Sequence, residues 1–342
     1  MIVPAPDLNQ GVIKLPPGAG TITFPKQDQR EAIQSWNVMV QRELFGTFTG
    51  QVGYVGSYAS GQQGFININA SAPGTGNAGR PLAAFGIVTD INMVQPYRPA
   101  TYNAMQTELK GRAAGLQVGA VYTLARATNY QDNDANPRIQ LLEFAELNKG
   151  PAGYDRTHNL QTYGVWELPF GSGHARASGG VAGALLGGWQ LNGIMSIMSG
   201  TPINIVQGSA NNLNAGGSAQ YPDQVKPEVE ILGGVGAGRP YFDTSAYAQV
   251  NIPAGQPQRF GNSGRNPIRG PGFFNVDFGA FRSIPLPKRV RLQLRFEALN
   301  LLNHPNFANP GGDISNAGTF GIITATTGTG ERNLRFGARV SF

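Results

Sequence analysis

The chain has no cysteine and little charge: of its 342 residues, 13% are Asp, Glu, Lys or Arg, about half the share usual in soluble domains. Without cysteine, disulfide scaffolds, Cys-ligated zinc and iron–sulfur clusters are excluded. The shortage of charge excludes coiled coils and highly charged disordered tails. Long hydrophobic runs are missing too. No stretch of about 18 apolar residues occurs, which excludes membrane-spanning helices. Glycine (48 residues) and proline (24) are plentiful, so what remains is a β-rich protein with many turns and loops. The net charge of +6 is scattered, with no basic run longer than Lys288-Arg289, and no nucleic-acid partner is expected.

Period-2 alternation is the strongest positive signal, because successive strand side chains point to opposite faces. Val290, Leu292, Leu294, Phe296 and Ala298 share one face; Arg289, Arg291, Gln293, Arg295 and Glu297 share the other. Phe274, Val276, Phe278 and Ala280 alternate with Asn275 and Asp277. The last segment sets Leu334, Phe336, Ala338, Val340 and Phe342 against Asn333, Arg335, Gly337, Arg339 and Ser341. Weaker alternation upstream brings the expectation to about nine strands, near 36–46, 47–59, 100–111, 114–128, 157–169, 188–206, 273–285, 288–302 and 332–342.

The connections between these strands alternate in length. Short ones fall at Gly46, Gly111–Gly115 and Pro285-Leu286-Pro287, with a Gly-rich one of intermediate length at 170–187; long ones fall at 60–99, 129–156, 207–272 and 303–331. A sandwich has no reason to gather its long loops at one end. An outer-membrane barrel does, with short periplasmic turns, long extracellular loops and strands of about 9–11 residues across the bilayer.

Motifs for chemistry are weak. Gly74-Thr75-Gly76-Asn77-Ala78-Gly79 fits a dinucleotide fingerprint, yet Pro73 precedes it, Arg80-Pro81 follows, and no helical period succeeds it. Asp132, Asp134, Asn136 and Glu143 fit an EF-hand frame except that Pro137 takes the place of the turn glycine; a looser cation site in this loop is the remaining option. His158, His174 and His304 lack metal-site spacing, and a loop-anchoring hydrogen bond is expected for His158 and His304. Gly-x-Ser-x-Gly is absent. No catalytic residue, cofactor or enzyme activity is expected.

Several segments resemble a known family. They are Ser35-Trp36-Asn37-Val38, Gly53-Tyr54-Val55-Gly56-Ser57, Tyr154-Asp155-Arg156-Thr157-His158-Asn159, Gly188-Trp189-Gln190-Leu191-Asn192-Gly193 and Ser199-Gly200-Thr201-Pro202. Gln41-Arg42-Glu43-Leu44, Tyr102-Asn103-Ala104, Tyr122-Thr123-Leu124, Glu167-Leu168-Pro169-Phe170-Gly171, Phe260-Gly261-Asn262-Ser263-Gly264-Arg265-Asn266, Gly270-Pro271-Gly272 and the run from Arg295 to Phe307 complete the set. Together they are similar to the C-terminal part of a TonB-dependent outer-membrane receptor of the Oar-like type. The resemblance implies a transmembrane antiparallel β-barrel of about 22 strands, an N-terminal plug, and TonB-driven import of a scarce or bulky ligand across the outer membrane of a Gram-negative bacterium. Against that pattern the chain is expected to be an incomplete barrel. Met1-Ile2-Val3-Pro4-Ala5-Pro6 has no signal-peptide character, residues 1–34 read as the tail of an extracellular loop, and residues 35–342 as the C-terminal barrel portion, a fragment without plug or TonB box.

Partners follow from the same resemblance: outer-membrane lipid, an unknown small ligand, the TonB complex through the plug, and the barrel-assembly machinery. The machinery would read Leu334, Phe336, Ala338, Val340 and Phe342 by strand addition. Arg291, Arg295, Arg335 and Arg339 form a candidate basic ladder in the lumen, which Glu297 and the plug could neutralise or which could steer anions. Loops 207–272 and 60–99 are the expected places of ligand contact. A surface adhesin is the alternative to a transporter, and a soluble β-sandwich is the third reading.

Overall fold

Alternating side chains make each barrel strand two-faced, and the register of the computed structural model keeps those faces continuous from strand to strand. The structure describes residues 21–26, 30–132, 137–171, 179–208, 220–253, 255–288, 290–328 and 330–342. Arg289, His174, Asp134, Asn136 and the first 20 residues lie outside the described residues.

Nine strands form one antiparallel meander in chain order. They are β1 (Ile33–Leu44), β2 (Phe48–Asn67), β3 (Ile91–Ala113), β4 (Leu116–Asn129), β5 (His158–Glu167), β6 (Trp189–Met198), β7 (Phe273–Pro285), β8 (Arg291–Leu299) and β9 (Asn333–Ser341). Every expected strand is present. The sheet does not close: β1 and β9 stand at its two ends, so it is a partial barrel.

Across the strands, Val38 pairs with Tyr54 and Tyr54 with Met105. Met105 pairs with Leu124, and Tyr122 with Leu160. Further along, Leu160 meets Ile197, and Ile197 meets Phe274. Finally Phe278 meets Ala298 and Ala298 meets Leu334. These residues share one apolar face. A one-residue slip anywhere would have turned a whole strand over. The opposite face carries Gln51, Gln106, Glu108, Lys110, Gln117, Gln161, Asn192, Ser196, Asn275, Arg295 and Arg339, interrupted by Tyr163 and Ile194.

Apart from the turn before β6, no described residue outside the sheet is seen to pack on the apolar face, and its large side chains stay exposed. Val38 is 69% exposed, Phe336 79% and Phe342 fully exposed. Outside the 60–67 and 91–99 extensions of β2 and β3, the buried apolar residues of the meander are alanines, Ala104, Ala125, Ala127 and Ala298. Every large buried apolar side chain lies in the connections or in the strand extensions beside them.

Two expected boundaries are corrected. The segment 60–99, read as a loop, is strand at both its ends: β2 and β3 continue to Asn67 and from Ile91 as a two-stranded arm, with register shifts at Ala59/Gln62/Gln63. Such irregularities bend a hairpin and raise its twist, and here the extension is held by burial of Ile66 and Tyr97. Thr21–Thr23 adds to the arm in parallel, beside Ile91–Met93. In contrast, β6 ends at Met198 rather than 206. Pro202 has no N–H to donate to the ladder, and Pro202–Ile203 instead pairs with Ile268–Arg269. The connection read as 170–187 holds one short helix, α1 (Gly180–Leu186).

Candidate functional site: the outer-loop cap

The four long connections fold against one another. Ile203, Ile205, Phe242, Ala246 and Tyr247 of the third close a core with Phe320 of the fourth; Phe242 stands edge-on to Phe320 at 5.4 Å between centroids. The arm joins the second connection through Ile66, Tyr97, Tyr130 and Ala145. The second joins the third through Ile139, Tyr221 and Phe260. The long loops therefore make a packed cap over the outer end of the sheet.

Buried polar side chains knot this cap. Asn148 accepts from the Ile139 backbone N–H at 3.0 Å and from the Tyr221 hydroxyl at 3.2 Å, and donates to the Tyr97 hydroxyl at 3.0 Å. Burial pushes the Tyr221 hydroxyl far above its ordinary pKa, so it stays protonated and keeps donating. Arg265, almost wholly buried, is paired with Asp132 and also donates to the Pro151 carbonyl. Arg269 is paired with Asp155, whose other oxygen accepts from the Ala127 N–H at 2.6 Å. Further out, Arg259 grips Asp223 through two bonds of 2.8 and 2.7 Å, and that guanidinium holds the carboxyl below the usual range.

Several of the segments that carried the family resemblance lie in this cap and tie it together. In the run ending at Phe307, Asn300 adopts a left-handed backbone (φ 50°) and its side chain bonds both the N–H and the carbonyl of His304. Asn306 accepts from the Phe274 N–H at 2.8 Å. Gly200 packs so closely on the Gly270 carbonyl that a Cβ would overlap it, which explains glycine in Ser199-Gly200-Thr201-Pro202. Arg156 donates to the Ser199 carbonyl at 2.7 Å. His158 shares a hydrogen bond of 2.8 Å with the Tyr122 hydroxyl, whereas His304 is held through its backbone.

Of the residues in the cation-site frame, Asp134 and Asn136 lie outside the described residues; Asp132 pairs with Arg265 and accepts from the Gly153 N–H. Residues Gly74–Gly79 form a turn and a single 3-10 helical turn, not the strand–loop–helix a dinucleotide needs.

Along β8 and β9 the register places the four arginines in a staggered array. Arg335 lies opposite Glu297, Arg339 opposite Gln293, Arg291 opposite Ser341 and Arg295 opposite Gly337. All four share the polar face, and one of them faces a carboxylate directly. Leu334, Phe336, Ala338 and Val340 line the apolar face of the edge strand, with Phe342 beyond its end.

A two-faced antiparallel sheet, bare on its apolar side, short-turned at one end and capped by packed loops at the other, defines a segment of an outer-membrane β-barrel. The sequence profile described as "Outer membrane beta barrel domain" matches residues 2–335, and the chain belongs to that family. Among solved structures, the outer membrane transporter YddB from Escherichia coli is similar at a TM-score of 0.52 with 10% identity, over 94% of this chain and 33% of that one. The pyoverdine outer membrane receptor FpvA from Pseudomonas aeruginosa gives 0.45 at 12% identity, over 91% and 30%. The FrpB iron transporter from Neisseria meningitidis gives 0.42 at 11%, over 93% and 32%. The chain thus spans about a third of the length of these structures. Only the first likeness is near enough to carry the fold. No curated protein matches the chain.

Proposed function

We propose that residues 35–342 form the C-terminal barrel portion of a TonB-dependent outer-membrane transporter of the Oar-like type, and that residues 1–34 are the tail of an extracellular loop. One observation carries the reading: an uncovered apolar face runs through nine strands in register while the buried core lies in the outer loops. Such a face is stable only against lipid, and a folded cap of loops is what a receptor needs to present fixed contacts to a scarce ligand. The fold shared with an outer membrane transporter supports the same reading. Substrate choice would lie in the cap, with the arm at 60–99 and the connection 207–272 as its contact surfaces, and energy would arrive through a plug encoded upstream.

Reading the gene upstream of Met1 tests this proposal. An in-frame plug, TonB box and signal peptide are the expected result. In-frame stop codons directly before Met1 would overturn transport and favour an adhesive surface protein.

The edge strand β9 supports a second part of the proposal, delivery by the barrel-assembly machinery. Its outer side is unpaired, and Leu334, Phe336, Ala338, Val340 and Phe342 are all available for strand addition. Deleting Phe342 from the full-length protein is expected to lower its outer-membrane yield several-fold; an unchanged yield in fractionated membranes sinks the assignment.

A further inference from the structure

The connection between β5 and β6 differs from the other short turns. It carries α1, whose Val181, Leu185 and Leu186 are among the exposed apolar side chains of the protein, 77%, 60% and 48% accessible. Val181 and Leu185, four residues apart, lie on one helical face, and no described residue packs over them. Polar groups fix where this helix sits. Arg282 and Trp189 pair across β7 and β6 on the apolar face of the sheet, at the short-turn end. The Trp189 indole N–H donates to the Leu185 carbonyl at 3.0 Å. Arg282 donates to the carbonyls of Ala184 and Gly187 and stacks its guanidinium over the Trp189 ring at 5.6 Å. These are the orphan carbonyls at the helix C-terminus, where a cation is favourable. The turn is thus bolted to the lipid-facing side of the sheet.

We propose that α1, with Trp189 and Arg282, is an anchor that lies in the headgroup–acyl boundary of the periplasmic leaflet and binds phospholipid there. The occupant follows from continuity: Trp189 and Arg282 extend the same face whose Phe278, Leu191 and Val276 meet lipid tails. The short-turn end of such barrels is periplasmic, which sets the leaflet. Trp and Arg are the residues favoured at headgroup level, the indole for its amphipathic ring and the guanidinium for phosphate. An apolar helical face placed beside them buries itself in the interface rather than crossing it. The inference rests on membrane embedding and stands whether or not the protein transports anything.

These 342 residues hold no cysteine, so single-site labelling needs only that any cysteine in the upstream sequence be replaced by serine. Leu185→Cys, in the protein with all the sequence its gene supplies, is labelled with an environment-sensitive nitrobenzoxadiazole dye and reconstituted in phosphatidylethanolamine–phosphatidylglycerol vesicles. Nitroxide lipids labelled near the headgroup or near the chain end serve as quenchers. The control is Ala114→Cys, in the β3–β4 turn at the same end of the sheet. Quenching at position 185 by the headgroup-proximal nitroxide is expected to exceed that at position 114 by about twofold or more, and to exceed that by the chain-end nitroxide. Equal quenching at 185 and 114 overturns the anchor, as does energy transfer between labelled copies that replaces lipid contact. Val181→Cys gives the same readout if the first variant does not assemble.

Discussion

Residues 1–342 produced alone are expected to yield no folded, heat-modifiable monomer in the outer membrane and to collect as aggregate. The sheet path ends at β1, 12 residues long, and at β9, of 9 residues. About half of the N–H and C=O groups of an edge strand point away from its neighbour. In lipid each such group without a partner costs several kcal/mol, so two open edges cost on the order of tens of kcal/mol. That exceeds the roughly 5–15 kcal/mol by which folded domains are stable. Neither edge is blunted: Val38 and Val40 on β1 and Phe336 and Val340 on β9 are apolar and exposed, a template for pairing with further chains. Comparing heated and unheated samples of the membrane fraction on a denaturing gel reads the outcome. A monomeric band that shifts on heating would show that the chain closes its edges unaided.

The second large effect is expected at the rim of the cap. Asp155 is buried, its side chain 1% exposed, and its charge is met by Arg269 and by the Ala127 N–H. Arg269 also donates to the carbonyls of Asp155 and Gly200, at 3.2 and 3.1 Å, so one guanidinium joins the second connection to the third. Replacing it by an apolar side chain of similar length leaves the carboxylate buried with a single donor. Breaking a buried pair in this way costs about 3–5 kcal/mol, and the partial exposure of Arg269 points to the lower end. Arg269→Met is therefore expected to accelerate amide hydrogen exchange in residues 150–157 and 199–205 by on the order of a hundredfold, with the meander strands unaffected. Exchange in those segments indistinguishable from the parent protein would show that the pair does not hold the rim.

Much of the sheet is legible in the sequence because lipid on one side and lumen on the other impose a strict period of two. Segments such as 290–298 and 334–342 obey it residue by residue, and the observed register pairs Leu292 with Val340 and Phe296 with Phe336. Strand ends were less legible where the pattern outlived the membrane. The arm at 60–67 and 91–99 continues the ladder without lipid on either side, so its alternation is blurred by Gln62, Gln63 and Pro96. The motifs at 260–266 and 295–307 resembled a family without a visible reason. The reason is non-local: Arg265 reaches Asp132, and Asn306 reaches the backbone of Phe274. No spacing along the chain announces a contact across 32 positions, as for Asn306 and Phe274, or across more than a hundred, as for Arg265 and Asp132.

By itself the sequence determined the class of architecture: composition excluded cysteine chemistry and spanning helices, alternation defined two-faced strands, and loop lengths set which end is which. Only the tertiary structure decided that the glycine-rich connections are a packed cap rather than slack loops, that Asp132 pairs with Arg265 across them, and that one short turn is bolted to the lipid side. Alternation is a local consequence of strand geometry and can be read from neighbours in sequence. Packing among loops depends on which distant side chains meet, and that is settled only when the sheet has brought the strand ends together.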